Sequence, residues 1–255
     1  MGDAQVGFEK WGDLLHLAVE RHPDAAFCTL AGDLSNRGCD RNDWDAFLHG
    51  AEGVFNHVPF VPALGNHDNC DEGAMYRALF DLPKNGPSGV VPELAYAFEY
   101  ENALFLVLNS NWRPSTQTAW IERQLSQSKA SWKFAIFHHP PYSPKANRDN
   151  PEIRDEWCPV FDKYHVDMVL TGHDHSYMRT YPFKKGVRTE TAADGTVYVV
   201  SVSGTKFYEQ QPGKGSAVAF AKVPTYQVID IDAKRLTYRA YDPNEKAMDE
   251  LVIEK

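Results

Sequence analysis

Asp3, Asp33, the run Asn66-His67-Asp68, the pair His138-His139 and the run His173-Asp174-His175 are the residues of this sequence best equipped for chemistry. Carboxylate and amide oxygens are hard donors and imidazole nitrogens borderline ones, a set that suits Mn, Fe or Zn and argues against a soft thiolate centre. A carboxylate can also bridge two cations. Four of the groups follow β-prone apolar runs: Phe27-Cys28-Thr29-Leu30 before Asp33, residues 58–64 before Asn66, Ala135-Ile136-Phe137 before His138, and Met168-Val169-Leu170 before His173. In open α/β sheets the carboxyl ends of strands form one rim, so residues distant in sequence can meet in one crevice. Gly32, Gly65 and Gly172 stand directly before these groups, where a missing side chain permits close approach.

The elements that must position these residues are legible as alternating patterns. Residues 8–21 predict an amphipathic helix with Trp11, Leu14, Leu15, Ala18 and Val19 on one stripe, ended by His22-Pro23. A strand over 25–31 and a second helix capped by Asp43 follow, then a strand over 58–64. Residues 95–100 and 103–109 predict a hairpin turning at Glu101-Asn102, and 116–127 a helix. After a strand at 132–137 and a helix at 152–164, strands are expected over 166–171, 196–203, 225–231, 236–241 and 250–254. Strand-helix units early and hairpins late imply an α/β fold: two sheets packed face to face with helices outside. One domain over 1–255 is expected.

Composition sets limits. With 26 basic and 35 acidic residues the chain carries a formal charge of −9, which leaves no basic footprint for nucleic acid. The longest apolar run, Ala103-Leu104-Phe105-Leu106-Val107-Leu108, is far short of the roughly 20 residues needed to span a bilayer, so no membrane insertion is expected. The first residues show no signal-peptide pattern. Cysteines 28, 39, 70 and 158 contain no CxxC pair; Cys39 and Cys70 flank the candidate loops and fit either a disulfide or two free thiols.

Gly2-Asp3-Ala4-Gln5, Gly32-Asp33, Gly65-Asn66-His67-Asp68, His138-His139-Pro140-Pro141 and Gly172-His173-Asp174-His175 together resemble the five blocks of the calcineurin-like metallophosphoesterases. Residues 172–182 and 195–201 are similar to the purple acid phosphatase-like branch. The resemblance implies a four-layer α-β-β-α fold and two divalent or trivalent transition-metal ions (Fe, Mn or Zn). One metal would be held by Asp3, Asp33 and His175, the other by Asp33, Asn66, His138 and His173, roughly 3.5 to 4 Å apart. It further implies hydrolysis of a small-molecule phosphate monoester by a metal-bridging hydroxide, with His67 as general acid and Asp68 orienting it. His139 and Tyr142 would supply hydrogen bonds around the metals or the substrate. Of the basic residues near the rim (Arg37, Arg41, Lys145, Arg148 and Lys206), Arg148 is the expected substrate contact. Relatives of this branch are commonly exported.

Three departures from the pattern bear on chemistry. Asn36 stands where the branch carries its iron-binding tyrosine, so a colourless protein is expected, with Asn36, like His139, either a metal ligand or a neighbour of the metals. Gln5 occupies the third place of the first block and could ligate the first metal or touch its water. Only Met1 and Gly2 precede Asp3, so the family's first strand is either lost or outside the chain. These departures leave two alternatives to a monoesterase: a phosphodiesterase or nucleotide pyrophosphatase on the same site, and a non-catalytic scaffold retaining the fold.

Overall fold

The computed structural model describes residues 1–255. Its first half runs α1 (Phe8–Arg21), β1 (Cys28–Ala31), α2 (Arg41–Gly50), β2 (Phe60–Ala63), α3 (Ala74–Leu79), β3 (Tyr96–Tyr100), β4 (Ala103–Val107), α4 (Ser115–Gln127) and β5 (Trp132–Ile136). There follow α5 (Pro151–Tyr164), β6 (Met168–Thr171), β7 (Tyr177–Thr180), β8 (Phe183–Lys184), β9 (Val187–Arg188) and β10 (Val197–Val200). The chain closes with β11 (Ser216–Phe220), β12 (Tyr226–Ile231), β13 (Arg235–Tyr241) and β14 (Ala247–Glu254).

The larger sheet has seven strands in the order β11-β7-β10-β6-β5-β4-β3. Its centre, β4-β5-β6-β10, is parallel, and antiparallel strands flank it. Residue burial follows from this placement: all five residues of β4 are buried because the strand is covered on both faces. Opposite lie the parallel pair β1-β2 and the antiparallel β12-β13-β14. Residues 1–3 tie these two groups together. The Met1 amino group donates to Thr29 O and Ala31 N donates to Met1 O, while Ser203 N donates to Gly2 O and Thr225 N to Val202 O. The expected first strand is thus represented by a short stretch hydrogen-bonded on both sides.

Three cores separate the layers. Ala31, Ala63, Phe105, Phe134, Met168, Val199, Tyr238 and Ile253 fill the space between the sheets. On the outer face of the large sheet, Leu106 and Phe137 meet Trp120 and Ile121 of α4 and Trp157 and Phe161 of α5. Beneath β1-β2, Leu30 and Leu64 meet Trp11 and Leu15 of α1 and Trp44 and Phe47 of α2, with Trp11 stacked on Phe47 at a centroid distance of 4.6 Å. Each such large apolar side chain contributes roughly 1.5–3 kcal/mol through burial. The layering is α-β-β-α, as the sequence implies.

Local differences have local causes. The cap of α2 is Asp40, whose carboxylate accepts from Asn42 N at 3.0 Å, and not Asp43, which instead pairs with Arg37 from within the first turn. The strands are shorter than the apolar runs: β1 and β6 begin later than expected but end at Ala31 and Thr171, directly before the ligand-bearing loops. Cys39 and Cys70 form a disulfide with Cα atoms 5.5 Å apart, joining the loop after β1 to the loop after β2.

Candidate metal centre

Five of the six expected ligands lie just beyond a strand of this sandwich: Asp33 after β1, Asn66 after β2, His138 after β5, and His173 and His175 after β6. Asp3 joins them from the stretch beside β1. Two groups result. The ligand-capable atoms of Asp3, Asp33 and His175 all lie within 4.8 Å of one another, as do those of His138, His139 and His173. Asp33 links the groups, its Oδ2 standing 3.3 Å from His138 Nε2. Asn66 Oδ1 lies 3.0 Å from both His138 Nε2 and His173 Nδ1, and those two nitrogens are 3.2 Å apart.

Backbone conformation is used to aim these side chains. Asp3, Asp33, His173 and His175 all adopt left-handed φ values of 48°, 53°, 73° and 46°. Non-glycine residues rarely do so, at a cost of about 1–3 kcal/mol each, and such strain gathers at functional sites. The loops are also packed too closely for side chains at two glycines. A Cβ on Gly65 would strike the backbone nitrogen of Asp33, and Gly32 holds φ at +84° against the His138 ring. Asp68 fastens the loops from below: its buried carboxylate accepts from Leu34 N at 3.1 Å, Ser35 N at 2.8 Å, Ser35 Oγ at 3.0 Å and Gly65 N at 2.9 Å.

The donor set fits two cations. His138 Nδ1 faces Ala31 O and His175 Nδ1 faces Lys206 O, each at 2.9 Å, so both rings spend their Nδ1–H on backbone and turn an Nε2 lone pair inward. Asn66 Oδ1, His138 Nε2 and His173 Nδ1 are then acceptors crowded at hydrogen-bond distance, an arrangement that requires a cation or a proton among them. Without a metal, the proton goes to His138. Burial opposes its charge, but the facing carboxylates of Asp33 and Asp3 outweigh burial and raise it to about 9. Burial likewise works against ionised Asp33, yet His138 and the His67 amide hold its carboxyl well below the usual range. Asp3 moves the other way, pushed well up by burial despite His138. Burial lowers His139 to about 3, with the charge of His138 adding to it, and lowers His175 to about 4. Burial and His138 also depress His173, so these three imidazoles are neutral and able to ligate.

Around this centre the structure redistributes several expected roles. His67 Nδ1 lies 2.6 Å from Asn36 O, so the ring is oriented by that carbonyl and not by Asp68, whose oxygens are taken up by the loops. Asn36 thus enters the site through its backbone. Gln5 Nε2 donates to Asp33 Oδ2 at 2.6 Å and sits 3.2 Å from His175 Nε2, while Lys206 Nζ reaches Gln5 Oε1 at 3.3 Å. Lys206 therefore turns the amide so that its N–H, which cannot ligate, faces the first metal position. His139 is held by Ser110, whose Oγ lies 2.9 Å from Nδ1. Tyr142 is a correction: its ring packs on Phe183 and Tyr198 at 5.0 and 4.8 Å, in the α5-facing core and not toward substrate.

Arg148 is fixed at the rim by Asp174, at 2.7 Å, and by His173 O, at 3.3 Å, with Ser143 Oγ donating to the same Asp174 carboxylate. Arg37 and Arg41 are engaged with Asp40, Asp43 and Asp45 on the surface. Tyr208 also stands at this rim. Its ring lies 4.6 Å from His175 and beneath Lys145 at 4.0 Å, Arg148 at 5.4 Å and Lys206 at 5.5 Å. No motif marks it; only the fold brings it beside residue 175.

Comparison with known proteins identifies the family and the fold. Residues 1–177 match the model of a family described as calcineurin-like phosphoesterase. An uncharacterised protein of Mycobacterium tuberculosis is 27% identical over 214 residues, covering 73% of this chain and 40% of the relative. Purple acid phosphatase 18 of Arabidopsis thaliana is 28% identical over 171 residues, covering 62% of this chain and 39% of that protein. The chain therefore spans well under half the length of these relatives. A purple acid phosphatase from yellow lupin (Lupinus luteus) seeds shares the fold, with a TM-score of 0.82 at 20% identity over 98% of this chain and 50% of that one.

Proposed function

Since this chain belongs to the calcineurin-like phosphoesterase family, we propose that it hydrolyses small-molecule phosphate monoesters at a two-metal centre, as one catalytic unit over residues 1–255. Asp3, Asp33 and His175 would hold one ion and Asp33, Asn66, His138 and His173 the other, with Asp33 shared. When bound, the ions supply positive charge for the phosphoryl oxygens and acidify water at the site. The observation that carries this reading is the meeting of Asp33, Asn66, His138 and His173 at 3.0–3.3 Å.

The chain's own groups supply the rest. His67 Nδ1–H donates to Asn36 O, which leaves Nε2 free to hold the proton that the departing alkoxide takes up. Arg148, braced by Asp174, and the ammonium groups of Lys145 and Lys206 form a cationic lip that draws in and orients a phosphate dianion. Neither lysine has a carboxylate partner within ion-pair distance, so both charges are free for a ligand. The Cys39–Cys70 disulfide supports an oxidising compartment, in keeping with export.

Turnover of p-nitrophenyl phosphate tests the reading. It should require added Mn, Fe or Zn and fall at least about 10³-fold in Asp33→Ala and His173→Ala, the order expected when groups central to catalysis are removed. Metal-independent turnover, or faster hydrolysis of bis-p-nitrophenyl phosphate than of the monoester, would contradict it.

A further inference from the structure

Five of the six tryptophans, Trp11, Trp44, Trp120, Trp132 and Trp157, are buried, whereas Trp112 stands 52% exposed. It forms part of the wall of a cavity of ≈ 560 Å³ whose other walls include Asn66 and His139. The cavity therefore opens directly from the proposed metal centre. An exposed indole gains from any planar partner that removes its faces from water.

Trp112 is also held in place. Asn111 N donates to Asn109 Oδ1 and Asn111 Nδ2 to Leu64 O, both at 3.0 Å, which fixes the residue before it. On the far side, Trp157 Nε1 donates to Pro114 O at 3.0 Å and Thr116 N to Arg113 O at 3.1 Å. The loop is thus pinned at both ends, and little conformational entropy is lost when a ligand meets the ring. The same cavity also presents two solvent-exposed polar side chains, the Asn69 amide and the Arg113 guanidinium, to whatever lies against the ring. A planar ring with polar substituents satisfies both features.

We propose that this cavity receives the leaving group of the substrate, and that the leaving group carries an aromatic ring, aryl or nucleobase, that stacks on Trp112. The proposal rests on the phosphoesterase reading and adds the substrate class. Metal-supplemented full-length chain and its Trp112→Ala and Trp112→Phe variants are assayed with adenosine 5′-monophosphate, p-nitrophenyl phosphate and β-glycerophosphate, which has no ring. In Trp112→Ala, the ratio of kcat/KM for a ring-bearing substrate to that for β-glycerophosphate falls on the order of 5- to 100-fold, the range of base–aromatic stacking. Trp112→Phe keeps most of the ratio. A larger fall for the nucleotide assigns a nucleoside, and a larger fall for the nitrophenyl ester assigns an aryl group. An unchanged ratio overturns the proposal.

Fluorescence gives a readout independent of turnover. Acrylamide quenching of wild-type emission, dominated by the one exposed indole, should be reduced by adenosine 5′-monophosphate; quenching that the nucleotide leaves unaltered also overturns the stacking. Wild-type protein that hydrolyses none of the three esters refutes the phosphoesterase reading, while the quenching result still decides whether the ring binds.

Discussion

Asp68 and His138 show how single residues divide the labour of the site. Asp68 holds four donors from two ligand loops and touches no imidazole, so Asp68→Ala leaves three buried N–H groups and a hydroxyl without a partner. At roughly 1–3 kcal/mol for each unsatisfied buried group, the variant should lose several kcal/mol of stability in urea unfolding, and its metal affinity should fall with it. Loss of turnover at full stability and metal content would instead restore the role the motif suggests. His138 carries a proton in the metal-free chain because its folded value, about 9, lies above the ordinary 6.5. The stabilisation it draws from Asp33 is complete below 6.5 and is lost as pH rises toward 9. A metal must displace that proton, so affinity measured by chelator competition should rise roughly tenfold per pH unit across this window. A flat profile would contradict the protonated His138. The candidate ligands were legible as candidates because their types and the preceding strands are local signals. The partners were not, since Lys206 O, Asn36 O and Ser110 Oγ come from loops that only the folded chain brings near.

Elements were legible where periodicity is strong. The helix over 8–21 coincides with α1 because an amphipathic stripe specifies one partner face, and the hairpin at Glu101-Asn102 coincides with β3 and β4 because a polar turn separates two apolar, β-prone runs. Besides the two-residue strands β8 and β9, three elements went unmarked. At six residues, α3 is too short to show a stripe; β7 is buried along its whole length and shows no alternation; β11 is half-buried throughout and sits at the sheet edge. Between elements, the Cys39–Cys70 bridge closes a span of 31 residues and joins the loops that carry Asp33 and Asn66. Loop-closure entropy for that span corresponds to about 3–4 kcal/mol. Cys39→Ser/Cys70→Ser should lower unfolding stability by up to that amount and weaken metal retention on gel filtration. An unaltered denaturation midpoint would show that the bridge does not constrain the unfolded chain.

At the scale of the molecule, the four layers place five of the six candidate ligands at the carboxyl ends of strands and Asp3 beside β1, which is why residues from 3 to 175 meet in one crevice. Net charge alone misleads about the ligand. A chain of −9 repels anions at a distance, but two divalent ions would add about +4 in one crevice, and Lys145, Arg148 and Lys206 gather around Tyr208 beside it. On the proposed two-metal reading, an acidic chain and a cationic crevice would be compatible and would suit small phosphate esters. The most direct test of the central claim is the metal content of protein purified with Mn, Fe and Zn supplied, measured by elemental analysis beside Asp33→Ala. About two transition-metal ions per wild-type chain and a marked loss in the variant are the expected result; a wild-type chain that retains none would contradict the two-metal centre and leave the fold as a scaffold.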